Sequence, residues 1–131
     1  MYILDTDICS YILKQRPVNV LDKFAEIEFS HMAISIITVA ELLYGVRKKS
    51  GNKINISVVN KFISNLQIIK WDVAAAEEYA KIRSYLEKKG KTIGNMDMMI
   101  AACAVSIGAV LVSNNTRHFI NIPNLKVENW V

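Results

Sequence analysis

The segment Ile3–Asp7, ILDTD, ends an apolar run in two carboxylates, Asp5 and Asp7, on either side of Thr6. An ionised carboxylate beside buried apolar chain loses solvation, and a hydrogen-bond donor, a cation or a metal must hold it there. Glu41 and Asp97 each stand near the head of a further apolar helical segment. Taken singly, each acid has a structural explanation. Glu41 follows Thr38 at the spacing of a capping box, and Asp7 and Asp97 complement helix dipoles in first turns. Asp5 fits such an explanation least, because it closes an apolar run and has no cationic neighbour in sequence. Taken together, carboxylates that converge on one edge repel one another unless a divalent cation neutralises them. Oxygen donors without Cys or a His cluster suit Mg2+ or Mn2+ rather than Zn2+. Metal-assisted phosphodiester hydrolysis uses such an arrangement: the cation lowers the pKa of the attacking water and stabilises charge on the phosphate and the leaving oxygen. His31 and His118 are too few and too scattered for a zinc site and take no catalytic role in this reading.

These acids need elements that position them. YILD (2–5) is too short for a helix and reads as a strand, and TDICSYILK (6–14) then places Ile8, Tyr11 and Ile12 on one helical face. Pro17 suits the first turn of a helix over 18–27, with Val20, Leu21 and Phe24 apolar. FSHMAISI (29–36) alternates as a strand with Phe29, Met32, Ile34 and Ile36 inward. Thr38 and Glu41 open a helix through AELLYGVRKK (40–49), SGN (50–52) breaks it, and an amphipathic helix spans 54–66. IIKW (68–71) is a third strand. Asp72 caps a long helix in which Ala75, Tyr79, Ile82 and Leu86 stay in phase as far as KKGK (88–91). Asn95 caps a helix over 96–106, AVLVS (109–113) is a fourth strand, and KVENW (126–130) adds a short fifth. Strands alternating with helices imply an α/β fold with a central parallel sheet of four to five strands, covered by helices on both faces. In such folds ligands bind at the carboxyl ends of the strands. Asp5 follows the first strand, Glu41 lies past the second, Asp72 follows the third, and Ser113, Asn114 and Asn115 follow the fourth.

The chain of 131 residues is long enough for one domain with a sizeable core, and residues 1–131 contain no linker, repeat or low-complexity segment. An apolar fraction of 52% with few Pro and Gly excludes disorder. Cys9 and Cys103 sit in apolar helical surroundings and read as reduced core thiols of a cytoplasmic protein. Asp5 interrupts the opening apolar run at once, which argues against a secretory signal. MMIAACAVSIGAVLV (98–112) is the most membrane-like stretch, yet it is shorter than the roughly 20 apolar residues of a spanning helix. It reads as a buried helix, a stop at Gly108 and a buried strand, with no membrane role. The net charge of +4 is unevenly placed. Arg47, Lys48, Lys49 and Lys53 form one cluster, and Lys81, Arg83, Lys88, Lys89 and Lys91 another; each is either a solvated helix end or a surface for a polyanion such as RNA.

MYILDTDICSYILK, SIITVAELLYGVRKK, KTIGNMDMMIAACAVSIGAVLVSNNTRHF and NLKVENW, in that order and over nearly the whole chain, resemble the PIN-domain ribonucleases, and specifically the VapC toxins of bacterial toxin–antitoxin pairs. The resemblance implies a PIN-like three-layer sandwich and a Mg2+-dependent endoribonuclease, with Mn2+ as a possible substitute. It implies cleavage of structured RNA such as tRNA by metal-activated water, inhibition by a cognate VapB-like antitoxin, and a homodimer. By the same resemblance Asp5, Glu41 and Asp97 take the places of the family's acidic site residues. Asp5 and Asp97 would be direct metal ligands, and Glu41 would act through a water. It also brings Asp97 to the edge that Asp5 occupies. The chain departs from the family twice: Asp7 stands where this branch usually carries Asn, and Asn115 stands where many PIN domains have a fourth acid after the fourth strand.

Two other readings use some of the same residues. A PIN-like module could bind RNA or a protein without cutting. A receiver-type phosphoacceptor domain would use Asp5 and Asp7 as its acid pair, Asp72 as acceptor and Lys126 as its lysine, leaving Glu41 and Asp97 idle.

Overall fold

A computed structural model describes residues 1–48 and 54–131. Lys49 and Lys53 of the first basic cluster, and the SGN break at 50–52, lie outside the described residues. The strands are short: Tyr2–Leu4 (β1), Met32–Ser35 (β2), Gln67–Ile69 (β3), Val110–Val112 (β4) and Lys126–Glu128 (β5). They form one five-stranded sheet in the order β3-β2-β1-β4-β5, and every pairing is parallel.

Alternation along each strand divides the core in two. Ile3, Ala33 and Leu111 enter one cluster, whereas Leu4, Met32, Ile34 and Val112 enter the other. Each fully buried Leu, Ile, Val or Met side chain among them contributes about 1.5–3 kcal/mol, and Ala33 less. Thr6–Leu13 (α1), Val18–Glu26 (α2), Ile36–Arg47 (α3) and Ile56–Ser64 (α4) cover the Leu4 face. Val73–Lys89 (α5), Asn95–Ile107 (α6) and Thr116–Phe119 (α7) cover the Ile3 face, with α5 packed along α6. The result is the expected three-layer α/β sandwich.

The 98–112 segment folds as its sequence indicates. Gly108 ends α6 in the left-handed region at φ 66°, which only glycine adopts without strain, and β4 follows. Cys9 and Cys103 are free and fully buried, one in each core, so the sheet separates them. No helix among the described residues is long and apolar enough to cross a membrane.

Several local expectations are corrected. β2 does not alternate: all of its residues are buried, because a strand between two parallel neighbours is covered on both faces. Met32 and Ile34 are inward as expected. Phe29 instead lies in a 3-10 turn, 49% exposed, and Ile36 starts α3, 42% exposed. The Thr38–Glu41 capping box does not form. Ser35 is the cap, its hydroxyl accepting from the Ile37 N–H at 3.0 Å, so Thr38 and Glu41 lie inside α3 with both side chains available for other work. Gly94, not Asn95, is the N-cap of α6, and Pro17 precedes α2 rather than entering its first turn. Asp72 caps α5 as expected, accepting from the Ala75 N–H at 3.0 Å.

Candidate active site at the carboxyl edge of the sheet

From β1 the chain proceeds to β2 and β3 on one side, then returns to place β4 and β5 on the other. Strand order therefore reverses between β1 and β4, and the crevice beyond their carboxyl ends is where such sheets bind ligands. Asp5 follows β1 there and Ser113 follows β4. The Asp5 N–H extends the pairing by donating to the Val112 carbonyl at 2.8 Å. Its carboxylate is only 4% exposed, with Oδ1 accepting from the Thr6 N–H and Oδ2 from the Ser113 hydroxyl, each at 2.8 Å.

Those donors do not compensate for burial. Desolvation, and then the charge of Asp7, push the Asp5 carboxyl up to about 7, against the lowering effect of Ser113 and Thr6; Asp97 adds to the rise. Asp7 is also raised, first by burial and further by Asp97. Its Oδ1 accepts from the Ile8 N–H at 2.7 Å and its Oδ2 from the Asn114 N–H at 3.0 Å. Asp5 is the N-cap of α1, and Asp7 lies in its first turn, as its sequence position suggests, where it also ties that helix to the segment after β4. Three carboxylates, Asp5, Asp7 and Asp97, lie within electrostatic reach of one another, and among the described residues neither Asp5 nor Asp7 forms an ion pair.

Asp97 occupies the first turn of α6, and its Oδ2 lies 3.0 Å from Nδ1 of His118 on α7. Glu41 reaches the edge from α3, its Oε1 accepting from the Thr6 hydroxyl at 2.6 Å, while the Thr38 hydroxyl lies 3.2 Å from that of Thr6. Thr6 therefore links the two acid groups: its N–H serves Asp5 and its hydroxyl serves Glu41. Asn115 is exposed at the start of α7 and does not cap that helix through its side chain. Its N–H donates to the Ser113 hydroxyl at 2.9 Å, so the backbone of Asn115 supports the serine that holds Asp5.

Sequence reasoning missed Thr6, Ser113 and His118 as partners of the acids. Thr6 had a signal, being flanked by two carboxylates. Ser113 and His118 had only their position after an apolar strand.

The donor chemistry fits a divalent cation. Among the described residues no three acid, His or Cys side chains stand close enough to enclose an ion by themselves. Mg2+ keeps several waters and takes only one or two carboxylates, and a cation beside a buried acid favours the charged form that burial opposes. The receiver-type arrangement does not form. Asp72 is committed to its helix cap, and Lys126 opens β5 opposite Val110, the first residue of β4, at the amino edge of the sheet.

Residues 2–125 match the PIN domain family. The chain is 43% identical over 130 residues to Ribonuclease VapC2 of Haemophilus influenzae, covering 99% of this chain and 98% of the relative. It is 40% identical over 129 residues to the tRNA(fMet)-specific endonuclease VapC of Salmonella typhimurium, covering 98% and 97%. Among solved structures it is similar to VapBC2 from Rickettsia felis bound to a promoter DNA fragment, with a TM-score of 0.90 at 39% identity over 99% of this chain and 98% of that one. DNA-bound VapBC from Salmonella typhimurium superposes with a TM-score of 0.91 at 39% identity, over 99% and 98% of the two chains. A buried acid at the switch point of a five-stranded parallel sheet, in a chain similar end to end to these proteins, leads to one assignment: the chain belongs to the PIN-domain family, in its VapC branch.

Proposed function

We propose that this chain, a single domain over 1–131, is a Mg2+-dependent endoribonuclease that acts as the toxin of a toxin–antitoxin pair in the cytoplasm. One observation carries the reading. Burial first, then the charges of Asp7 and Asp97, raise the proton affinity of Asp5 at the strand-order reversal, and only hydrogen-bond donors oppose them. Such a site holds more negative charge than its hydrogen bonds offset, which is the condition a divalent cation relieves.

In this reading Asp5 and Asp97 hold the ion. When bound, Mg2+, or Mn2+ in its place, lowers the pKa of a water and neutralises charge on the phosphate and leaving oxygen. Thr6 and Ser113 fix the two Asp5 oxygens, and His118 fixes Oδ2 of Asp97. Glu41, oriented by the Thr6 hydroxyl, holds a water of the site and accepts its proton. Asp7 braces α1 against the β4 edge rather than acting on substrate. Asn115 lines the edge as a neutral oxygen donor that binds a cation through water less strongly than a carboxylate does.

The substrate is structured RNA such as tRNA, in keeping with relatives described as tRNA(fMet)-specific endonucleases. The partners are a second copy of the chain and a VapB-like antitoxin, in keeping with relatives crystallised as VapBC complexes. A non-cutting module is the weaker reading, since Asp5, Glu41 and Asp97 are all present and held by donors. Incubating purified protein with total RNA across a Mg2+ titration tests the activity. Cleavage that appears with Mg2+ and stops in EDTA supports it, and RNA bound but left intact at every Mg2+ concentration favours the non-cutting module.

A further inference from the structure

The two basic clusters have different surroundings. Along α5, Lys81 pairs with Glu78 at 3.3 Å and Arg83 with Glu87 at 3.4 Å, while Lys89 Nζ lies 5.5 Å from the centre of the Tyr85 ring. Among the described residues, two of the five cations of that cluster, Lys81 and Arg83, thus pair with acids of the same helix. At the end of α3, Lys48 Nζ likewise lies 5.1 Å from the centre of the Tyr44 ring, but here both residues line an open groove of about 660 Å³ between α1, α3 and α6. Thr6 and Glu41 line the same groove, so it is continuous with the acids. Tyr44 is 65% exposed and Met96, on the α6 wall, is 47% exposed. Tyr44, one helical turn from Glu41, contributes little to the core, and although Lys48 lies over one face of its ring, most of the side chain stays open to a ligand.

We propose that Tyr44, with Lys48 beside it, is a stacking subsite for an unpaired nucleobase of the RNA next to the bond that is cut, an inference that rests on the ribonuclease reading. The ring accepts the flat face of any base, Lys48 meets the adjoining phosphate, and Met96 supplies apolar contact at the base edge. A cation beside an exposed aromatic ring complements a polyanion that carries π-faces. Stacking without edge readout makes this subsite select unpaired over paired nucleotides, not one base over another.

Binding of a short fluorescein-labelled oligo(A) strand, measured by anisotropy in EDTA on the Asp97→Asn protein, separates this inference from the cleavage reading. Adding Tyr44→Ala or Tyr44→Leu should weaken binding about tenfold, whereas Tyr44→Trp should hold it within about twofold, because only the latter keeps a π-face. The dependence on Tyr44 should vanish on an abasic strand of the same length. Lys48→Gln should weaken both strands and lower the salt slope by about one phosphate contact. In the otherwise unaltered enzyme the Tyr44 variants should raise KM and leave kcat nearly constant. The inference is overturned if the parent protein does not bind oligo(A), if Tyr44→Ala leaves its affinity unchanged, or if the loss is equal on the abasic strand. A Tyr44→Ala change confined to self-association or antitoxin capture also overturns it, and assigns the groove to a protein partner. If oligo(A) binding depends on Tyr44 while no RNA is cut, the subsite stands and the cleavage reading fails.

Discussion

The Ser113 hydroxyl donates to Oδ2 of Asp5 at 2.8 Å, joining the ends of β4 and β1 where the strand order reverses. Because that donor favours the charged form, the bond opposes the burial that pushes Asp5 up to about 7. In metal-free protein Asp5 therefore binds its proton more tightly folded than unfolded. The stability this adds is fully present below the ordinary value of 3.8 and is lost as pH rises through about 7. A gap of that size corresponds to about 4 kcal/mol, and Asp7 works in the same direction. Thermal unfolding in EDTA should give a lower Tm at about pH 8 than at about pH 5.5, with Asp5→Asn flattening the difference and saturating Mg2+ recovering the loss at the higher pH. Ser113→Ala should steepen the dependence, since it removes a group that lowers the Asp5 pKa. An Asp5→Asn protein with the parent's full pH slope contradicts this account.

His118 meets Asp97 at 3.0 Å through Nδ1. Removing that contact with His118→Ala should leave the fold intact, because the side chain is 47% exposed, and should weaken Mg2+ binding about tenfold by freeing the Asp97 carboxylate to rotate. His118→Asn, whose amide nitrogen can reach the same oxygen, should recover most of the affinity. Calorimetric Mg2+ titration of the variants checks this without reference to activity, and equal affinities in the parent and His118→Ala would remove His118 from the site.

Asn115 follows Ser113 at the same edge, and in the proposed reading its amide oxygen meets the cation through water. Asn115→Ala should reduce activity less than Asp97→Asn does, because an amide oxygen contributes less to cation binding than a carboxylate. Asn115→Asp should lower the Mg2+ concentration for half-maximal cleavage, while repulsion of the RNA phosphate leaves the maximal rate unchanged or lower. An unmoved midpoint in Asn115→Asp means that this side chain does not reach the ion. Its N–H bond to Ser113 is then its whole contribution.

Much of this site is legible in the sequence because periodicity and caps are local signals. ILD followed by TD marks a strand that stops at a buried acid, and Gly108 separates helix from strand in an otherwise continuous apolar run. Where local signals compete, tertiary placement decides. Thr38 and Glu41 have capping-box spacing, but Ser35 leaves the sheet in an extended conformation and starts α3 earlier, which frees Glu41 for Thr6. Phe29 and Ile36 continue an alternating pattern that a doubly covered parallel strand does not need. The Ser113–Asp5 and His118–Asp97 contacts join residues distant in the chain, and only the sheet order brings them together.

The central claim is that the chain cuts RNA with a metal held by Asp5 and Asp97. Its most direct test is a time course of RNA cleavage by the parent and by Asp97→Asn, each in Mg2+ and in excess EDTA, with circular dichroism to verify that the variant is folded. The account predicts cleavage only by the parent in Mg2+, because the amide removes one charge from the cation's donors. Undiminished cleavage by the parent in EDTA, or by folded Asp97→Asn in Mg2+, would contradict it.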